Sequence, residues 1–168
     1  QELLPLLNDP SFTVRTFSIR ALGKISIPTD KIEAALLPLL EDRDEGIRSE
    51  TVDAFGALGP SVKKGISALQ RHLEKDTWGV QWKAAKALGE IGPTAKSTIP
   101  ALIKAMYSDK NIVQNQARLA LVQMGPAAVP ALKKELGSKH DRVREDVKRT
   151  LVKIGTPDAL SALETLKK

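Results

Sequence analysis

The sequence predicts an all-α fold, an α-solenoid (alpha-alpha superhelix) of about five helical hairpins followed by a C-terminal half-repeat. Three columns of residues carry the prediction. The segments ALGKIS (21–26), AFGALG (54–59), ALGEIG (87–92), ALVQMG (120–125) and TLVKIG (150–155) recur at intervals of 33, 33, 33 and 30 residues. Val14, Ile47, Val80, Val113 and Val143 precede them at the same intervals, and Leu7, Leu40, Leu73, Met106 and Leu136 stand seven residues earlier again. Self-similarity at this period marks stacked supersecondary units, none of which buries its apolar face alone.

Each unit reads as a first helix of roughly 10 residues and a second of roughly 14. Leu69 and Leu73 share one face of a first helix. Val80, Ala84, Ala87, Leu88 and Ile91 follow the i, i+4, i+7, i+8, i+11 spacing of a second. Between them lie turn residues: Asn8-Asp9-Pro10, Asp42 to Gly46, Asp76 to Gly79, Ser108 to Asn111 and Gly137 to Asp141. Their Asp, Asn and Ser side chains are expected to cap the second helices by accepting bonds from free N–H groups. Units stop at Gly59-Pro60, Gly92-Pro93, Gly125-Pro126 and Gly155-Thr156-Pro157, where glycine closes a helix and proline cannot continue it. Asp30 with Glu33 reads as a capping box opening the second unit. The expected organisation is one domain over 1–168, part of a longer chain, with units at 1–26, 30–59, 65–92, 98–125 and 128–155. The half-unit 158–168 has Leu160, Leu163 and Leu166 inward and lysines outside.

Composition agrees with close-packed helices. Hydrophobic residues make up 42% of the chain and aromatics only 4%, against the β-branched and aromatic bias of strands. With no cysteine, disulfides and thiolate metal sites are excluded. No apolar run approaches the roughly 20 residues that span a bilayer, and no signal peptide is visible. A soluble protein is expected, with the cytoplasm the preferred address. The chain opens at Gln1, which reads as processing or excision, and Leu3, Leu4 and Leu7 are expected to lie exposed at that end. The protein is expected to be a monomer, or to associate through this N-terminal repeat face. Residues 1–60 carry 6 Lys/Arg against 10 Asp/Glu, and residues 61–168 carry 20 against 10. A basic C-terminal part is a candidate attractor of nucleic acid or an acidic protein.

The residues Leu36-Leu37-Pro38-Leu39-Leu40, the turn aspartate, Ile47-Arg48 and Ala54-Phe55-Gly56-Ala57-Leu58-Gly59 resemble HEAT repeats, above all the short HEAT-like type of phycobilin lyase subunits. Val14-Arg15 and Val143-Arg144 repeat the Val-Arg pair, whereas Gln81 and Gln114 depart from it. The resemblance implies a first helix kinked at Pro5 or Pro38, and an arginine (Arg15, Arg48, Arg144) that pairs with turn aspartates of adjacent units. It implies a fold more than a task, since one architecture serves many functions.

No catalytic constellation is legible. His72 and His140 sit in different units and read as ordinary surface residues, and no repeated His-Glu motif offers a metal site. No cofactor, metal or catalytic residue is expected. The second helices are expected to line a concave face, exposing positions two, three, six and ten residues after the valine column. Together these carry six positive and five negative charges, which is no basic stripe. Trp82 stands among them, with Phe17 and Leu119 at related positions, and Trp78 falls in a turn where it is expected to plug the gap between units. Trp82 reads as a groove residue, the alternative being packing over Leu119 or the lysine stems. The candidate partner-binding set is Phe17, Arg20, Glu50, Asp53, Trp82, Lys83, Lys86, Asn115, Gln116 and Leu119. The expected function is a protein–protein interaction scaffold. The alternatives are a nucleic-acid module resembling HEAT-like DNA glycosylases, with Asp53 or Glu90 as its carboxylate, and a bilin lyase-like subunit.

Overall fold

A computed structural model of the chain describes residues 2–25 and 29–164, and among these there is no strand. The second helices are α1 (Phe12–Gly23), α3 (Glu45–Leu58), α5 (Trp78–Ile91), α7 (Asn111–Met124) and α9 (Asp141–Ile154), with α2 (Thr29–Leu36), α4 (Ile66–Lys75), α6 (Ile99–Ala105), α8 (Val129–Glu135) and α10 (Pro157–Glu164) between and after them. Helices α1, α3, α5, α7 and α9 pack side by side in one row. Helices α4, α6, α8 and α10 pack in sequence as a second layer behind it. The core runs between the layers, through the predicted columns at Leu40, Ile47, Leu73, Val80, Met106, Val113 and Val143.

Proline sets the form of the first helices. Helix α2 ends at Leu36, and Pro38 continues the chain as a 3₁₀ segment over Leu37–Glu41, while Pro5–Asn8 is 3₁₀ throughout. A proline nitrogen cannot donate and its ring crowds the preceding turn, so the expected kink becomes a change of helix type. Pro100 and Pro130 instead sit in the first turns of α6 and α8, where no intrahelical N–H bond is needed.

The helix stops are of two kinds. Gly155 takes the left-handed conformation (φ 68°, ψ 8°) and its N–H returns to Leu151 O. Gly59 keeps positive φ at 62° but turns ψ out to −145°. Proline at the next position disfavours a helical ψ in the residue before it, and Thr156 imposes no such limit. Asp44 caps α3 through Gly46 N–H (2.7 Å) and Ile47 N–H (3.2 Å). The remaining second helices have no capping side-chain bond at the N-cap residue itself. A turn oxygen two residues earlier takes the N-cap N–H in most units: Asp9 from Ser11, Asp42 from Asp44, Ser108 from Lys110 and Ser138 from His140.

Second helices touch through glycine. A Cβ on Gly23 would lie 2.8 Å from Ala54 Cα, on Gly56 3.0 Å from Ala87 Cα, and on Gly89 2.8 Å from Ala120 Cα. At the same register the fourth and fifth units carry Val122 and Val152. Val122 thus stands where glycine would face Thr150, and α7 packs less closely on α9 than α5 does on α7.

Several expectations are corrected. Asp30 and Glu33 do not form a capping box on α2. Glu33 is fully buried and reaches the next unit, accepting the N–H groups of Lys63, Lys64 and Gly65 at 2.9, 3.1 and 3.2 Å. Trp78 is 54% exposed at the start of α5 and plugs no gap. In α10 the inward residues are Ala159 and Ala162, with Leu163 half-buried and Leu160 exposed; Leu166 and the last lysines lie outside the described residues, as does Ser26. At the other end Leu7 is buried and Leu3 and Leu4 are partly so. Substituting Gly89→Val should cost about 2 kcal/mol through overpacking against Ala120, although the valine itself is tolerated at the same register in α7. Urea denaturation of the variant against wild type measures it.

Candidate interaction face

The face formed by the second helices is crossed by ion pairs between neighbouring units. Position six of one unit meets position three of the next. Arg20 grips Glu50 with two bonds (Nε–Oε2 2.5 Å, Nη2–Oε1 2.6 Å), and Lys83 Nζ reaches Asp53 Oδ2 at 2.6 Å. The fork geometry holds the Glu50 carboxyl below its ordinary range, chiefly through the Arg20 hydrogen bonds. The polarity alternates, cation-to-anion across α1–α3 and anion-to-cation across α3–α5. At the next junction Lys86 turns to Glu90 of its own helix (3.0 Å). At the last, the register brings Leu119 opposite Asp146, and the ladder ends.

The candidate residues distribute along this face rather than converging on one point. Arg20 lies over the Phe17 ring, 6.0 Å from its centroid. Phe17, 62% exposed, lines an apolar hollow of about 370 Å³ with Leu3, Leu6, Val14 and Ala21 at the N-terminal end. Trp82 is half-buried, one side packed on the core and the other 5.8 Å from Lys83 Nζ, which therefore joins Asp53 and Trp82. Trp82 is thus a partly buried ring packed on the core beside the Lys83 ammonium. Asn115 is exposed, Gln116 half-buried and Leu119 37% exposed along α7. Thr16, placed by the same register among the exposed positions, is buried.

Residues five positions after the valine column escaped the sequence reading. There Ile19, Val52 and Ala85 are fully buried, whereas Arg118 and Lys148 are half-exposed. The change from apolar to cationic in one column was the available signal.

The turn edge carries a second polar cluster. Arg48 holds Asp76 of the next unit with Nη2–Oδ1 at 2.8 Å and Nε–Oδ2 at 2.9 Å, and its Nη1 donates to Asp42 O and Arg43 O. This is the inter-unit pairing that the resemblance implies. Arg15 and Arg144 bond turn carbonyls of their own units instead, and Arg144 pairs with its own Asp141. His72 is not a surface residue. It is 7% exposed, its Nδ1 lies 2.9 Å from Asp76 Oδ2, and Glu41 lies 3.9 Å from Nε2. Burial would raise the Asp76 carboxyl, but bonds from Arg48, Thr77 N–H and His72 outweigh it and hold it at about 2. His140, by contrast, is exposed, edge-on to Tyr107 at 5.1 Å. No group of three or more metal-ligating side chains occurs among the described residues, and no described helix is long and apolar enough to cross a membrane.

Side-by-side hairpins in two layers, with one layer presenting a continuous face, define an α-solenoid. The family model for HEAT repeats matches residues 1–78, 33–122 and 99–168, and the chain belongs to that family. No curated protein sequence matches the chain. Among solved structures it is similar to an engineered protein (25% identity, TM-score 0.63, covering 98% of this chain and 83% of that one). It is also similar to a structure of the complex of CpcE and CpcF of phycocyanin lyase from Nostoc sp. PCC7120 (23% identity, TM-score 0.65, covering 94% of this chain and 65% of that one). The chain therefore spans less than two thirds of that lyase chain. A designed armadillo repeat protein in complex with the peptide (KR)4 shares the fold at 19% identity and a TM-score of 0.60, covering 99% of this chain and 91% of that one.

Because the Asp76 carboxyl is held at about 2 against an ordinary 3.8, its stabilisation is complete above pH 4 and lost as pH falls towards 2. That interval is worth about 2 kcal/mol. Urea denaturation at pH 6, 4, 3 and 2 should show Asp76→Asn less stable than wild type at pH 6, the gap closing by about that amount at pH 2.

Proposed function

We propose that this chain is a protein-interaction scaffold that receives a segment of a macromolecular partner on the face of its second helices. The observation that carries the reading is Trp82, seated with one side on the core and flanked by Lys83, which is itself tied to Asp53. A rigid aromatic ring held in place by packing and a neighbouring ion pair loses little side-chain freedom on binding, which is what a binding hot spot requires. Phe17 and Leu119 add exposed apolar surface along the same row of helices. The designed armadillo repeat protein in complex with the peptide (KR)4 supports a peptide partner for this kind of fold. Catalysis draws no comparable support, because the polar clusters among the described residues brace helices and neighbouring units and assemble no nucleophile with its base.

A nucleic-acid track is less well supported. Arg20, Lys83 and Lys86 are each engaged by a carboxylate, so their charge is not free for successive phosphates.

Peptides selected from a displayed random library against the immobilised chain test the proposal. In a Trp78→Phe background Trp82 is the sole tryptophan, and its emission should shift when a selected peptide binds. Trp82→Ala should weaken the same peptides by about tenfold or more. Peptides that bind wild type and Trp82→Ala alike would overturn the assignment.

A further inference from the structure

The α7–α9 junction departs in three ways from the pattern set by the junctions between α1, α3 and α5. At the register of the Gly-to-Ala contacts this junction carries Val122 and Thr150, and α7 packs less closely on α9 than α5 does on α7. The salt-bridge ladder is replaced by Leu119 and Asp146. The buried apolar column of Ile19, Val52 and Ala85 continues as Arg118 and Lys148. The result is a cleft of about 480 Å³, lined by Arg118, Lys148, Arg149 and Lys153 with Asp146 and Val152 among them.

The charges in this cleft are poorly compensated. Asp146 lies 3.8 Å from Arg149, beyond hydrogen-bonding distance, and Lys148 pairs with the solvent-exposed Glu145 at 2.7 Å. The side chains of Arg118 and Lys153 have no ion pair or hydrogen bond among the described residues. Guanidinium groups bind carboxylates through paired, directed N–H bonds, and two of them flank one opening here. Exposed Val152 (56%) and Leu119 supply apolar surface beside the charges.

We propose that this cleft receives an acidic segment of a protein partner, a Glu or Asp side chain lying between Arg118 and Arg149 with an adjacent apolar residue on Val152 and Leu119. The proposal rests on the scaffold reading and adds the chemistry of the partner. Confinement favours a short acidic stretch over a nucleic-acid backbone. Arg20, Lys83 and Lys86 on the face of the first three units are each engaged by a carboxylate, so the weakly compensated charge gathers at this junction instead of forming a track across several.

The test is fluorescence anisotropy of a labelled octapeptide of alternating Glu and Leu, its Gln–Leu counterpart and a ten-nucleotide thymidine strand, each titrated with the whole chain at two salt concentrations. The Glu peptide should bind in a salt-weakened manner, the Gln peptide about tenfold or more weakly, and Arg118→Glu with Arg149→Glu should reduce Glu-peptide binding by a similar factor. If that double variant fails to fold by circular dichroism, Arg149→Glu with Lys153→Glu, both at exposed positions, carries the same expectation. Equal binding of the Glu and Gln peptides, or binding that survives charge reversal, would overturn the proposal. Tighter binding of the thymidine strand through these same arginines would overturn it in favour of nucleic acid. Library peptides that depend on Trp82 while the Glu peptide fails would leave the scaffold reading standing and sink only the acidic cleft.

Discussion

Neighbouring second helices in this chain approach until the backbone of one meets the backbone of the next, and the rest of the structure depends on that approach. Three glycines, each facing an alanine of the following unit, make it sterically open, and any larger side chain there would collide with a Cα. Once the helices are that close, Arg20 and Lys83 span to the carboxylates of the adjacent unit, and Arg48 reaches Asp76 across the turn edge. Each contact is modest in isolation, since exposed ion pairs contribute little. Their value lies in repetition along a one-dimensional array, where every unit is stabilised chiefly by its two neighbours. Glu33 performs the same service at the other edge, closing the free N–H groups ahead of α4 from within the preceding unit.

The architecture was legible because it is written in period. The valine, leucine and glycine columns describe the core with few exceptions, since burial repeats with each unit. What escaped were interactions that cross units without a sequence rhythm. Glu33 looks like a local cap three residues after Asp30, yet its side chain is drawn to a neighbour's orphan donors. His72 looks like a helix-end surface residue, yet the Arg48–Asp76 pair and Glu41 close around it. Trp78 looks like an apolar plug, but the N-terminal position on α5 points it to solvent. In α10 the small Ala159 and Ala162, not the larger Leu160, fit against the preceding helices.

The face itself was legible as a register and less so as a site. Counting from the valine column places Trp82, Lys83 and Asp53 on the row of second helices, but only folding joins them through Lys83. The same counting passed over Arg118 and Lys148, whose column is apolar in the first three units. Departures from a repeat carry as much information as the repeat. Where glycine becomes valine and an apolar position becomes arginine, the array stops serving only its own packing and gains a cleft. The sequence therefore divides the face into a braced stretch over α1 to α5 and a more open one between α7 and α9.

Native-state hydrogen exchange read by mass spectrometry tests this division directly. Helix α9 is covered by α10 on its far side, so its protection reports the α7 junction more than a frayed end. The glycine-contact account predicts high protection in α3 and α5 and a clear step down at α9, whose amides open at a lower free energy than global unfolding. Protection in α9 equal to that in α3 and α5 would contradict it, because helices held apart by valine would then be bound as firmly as helices that meet at glycine.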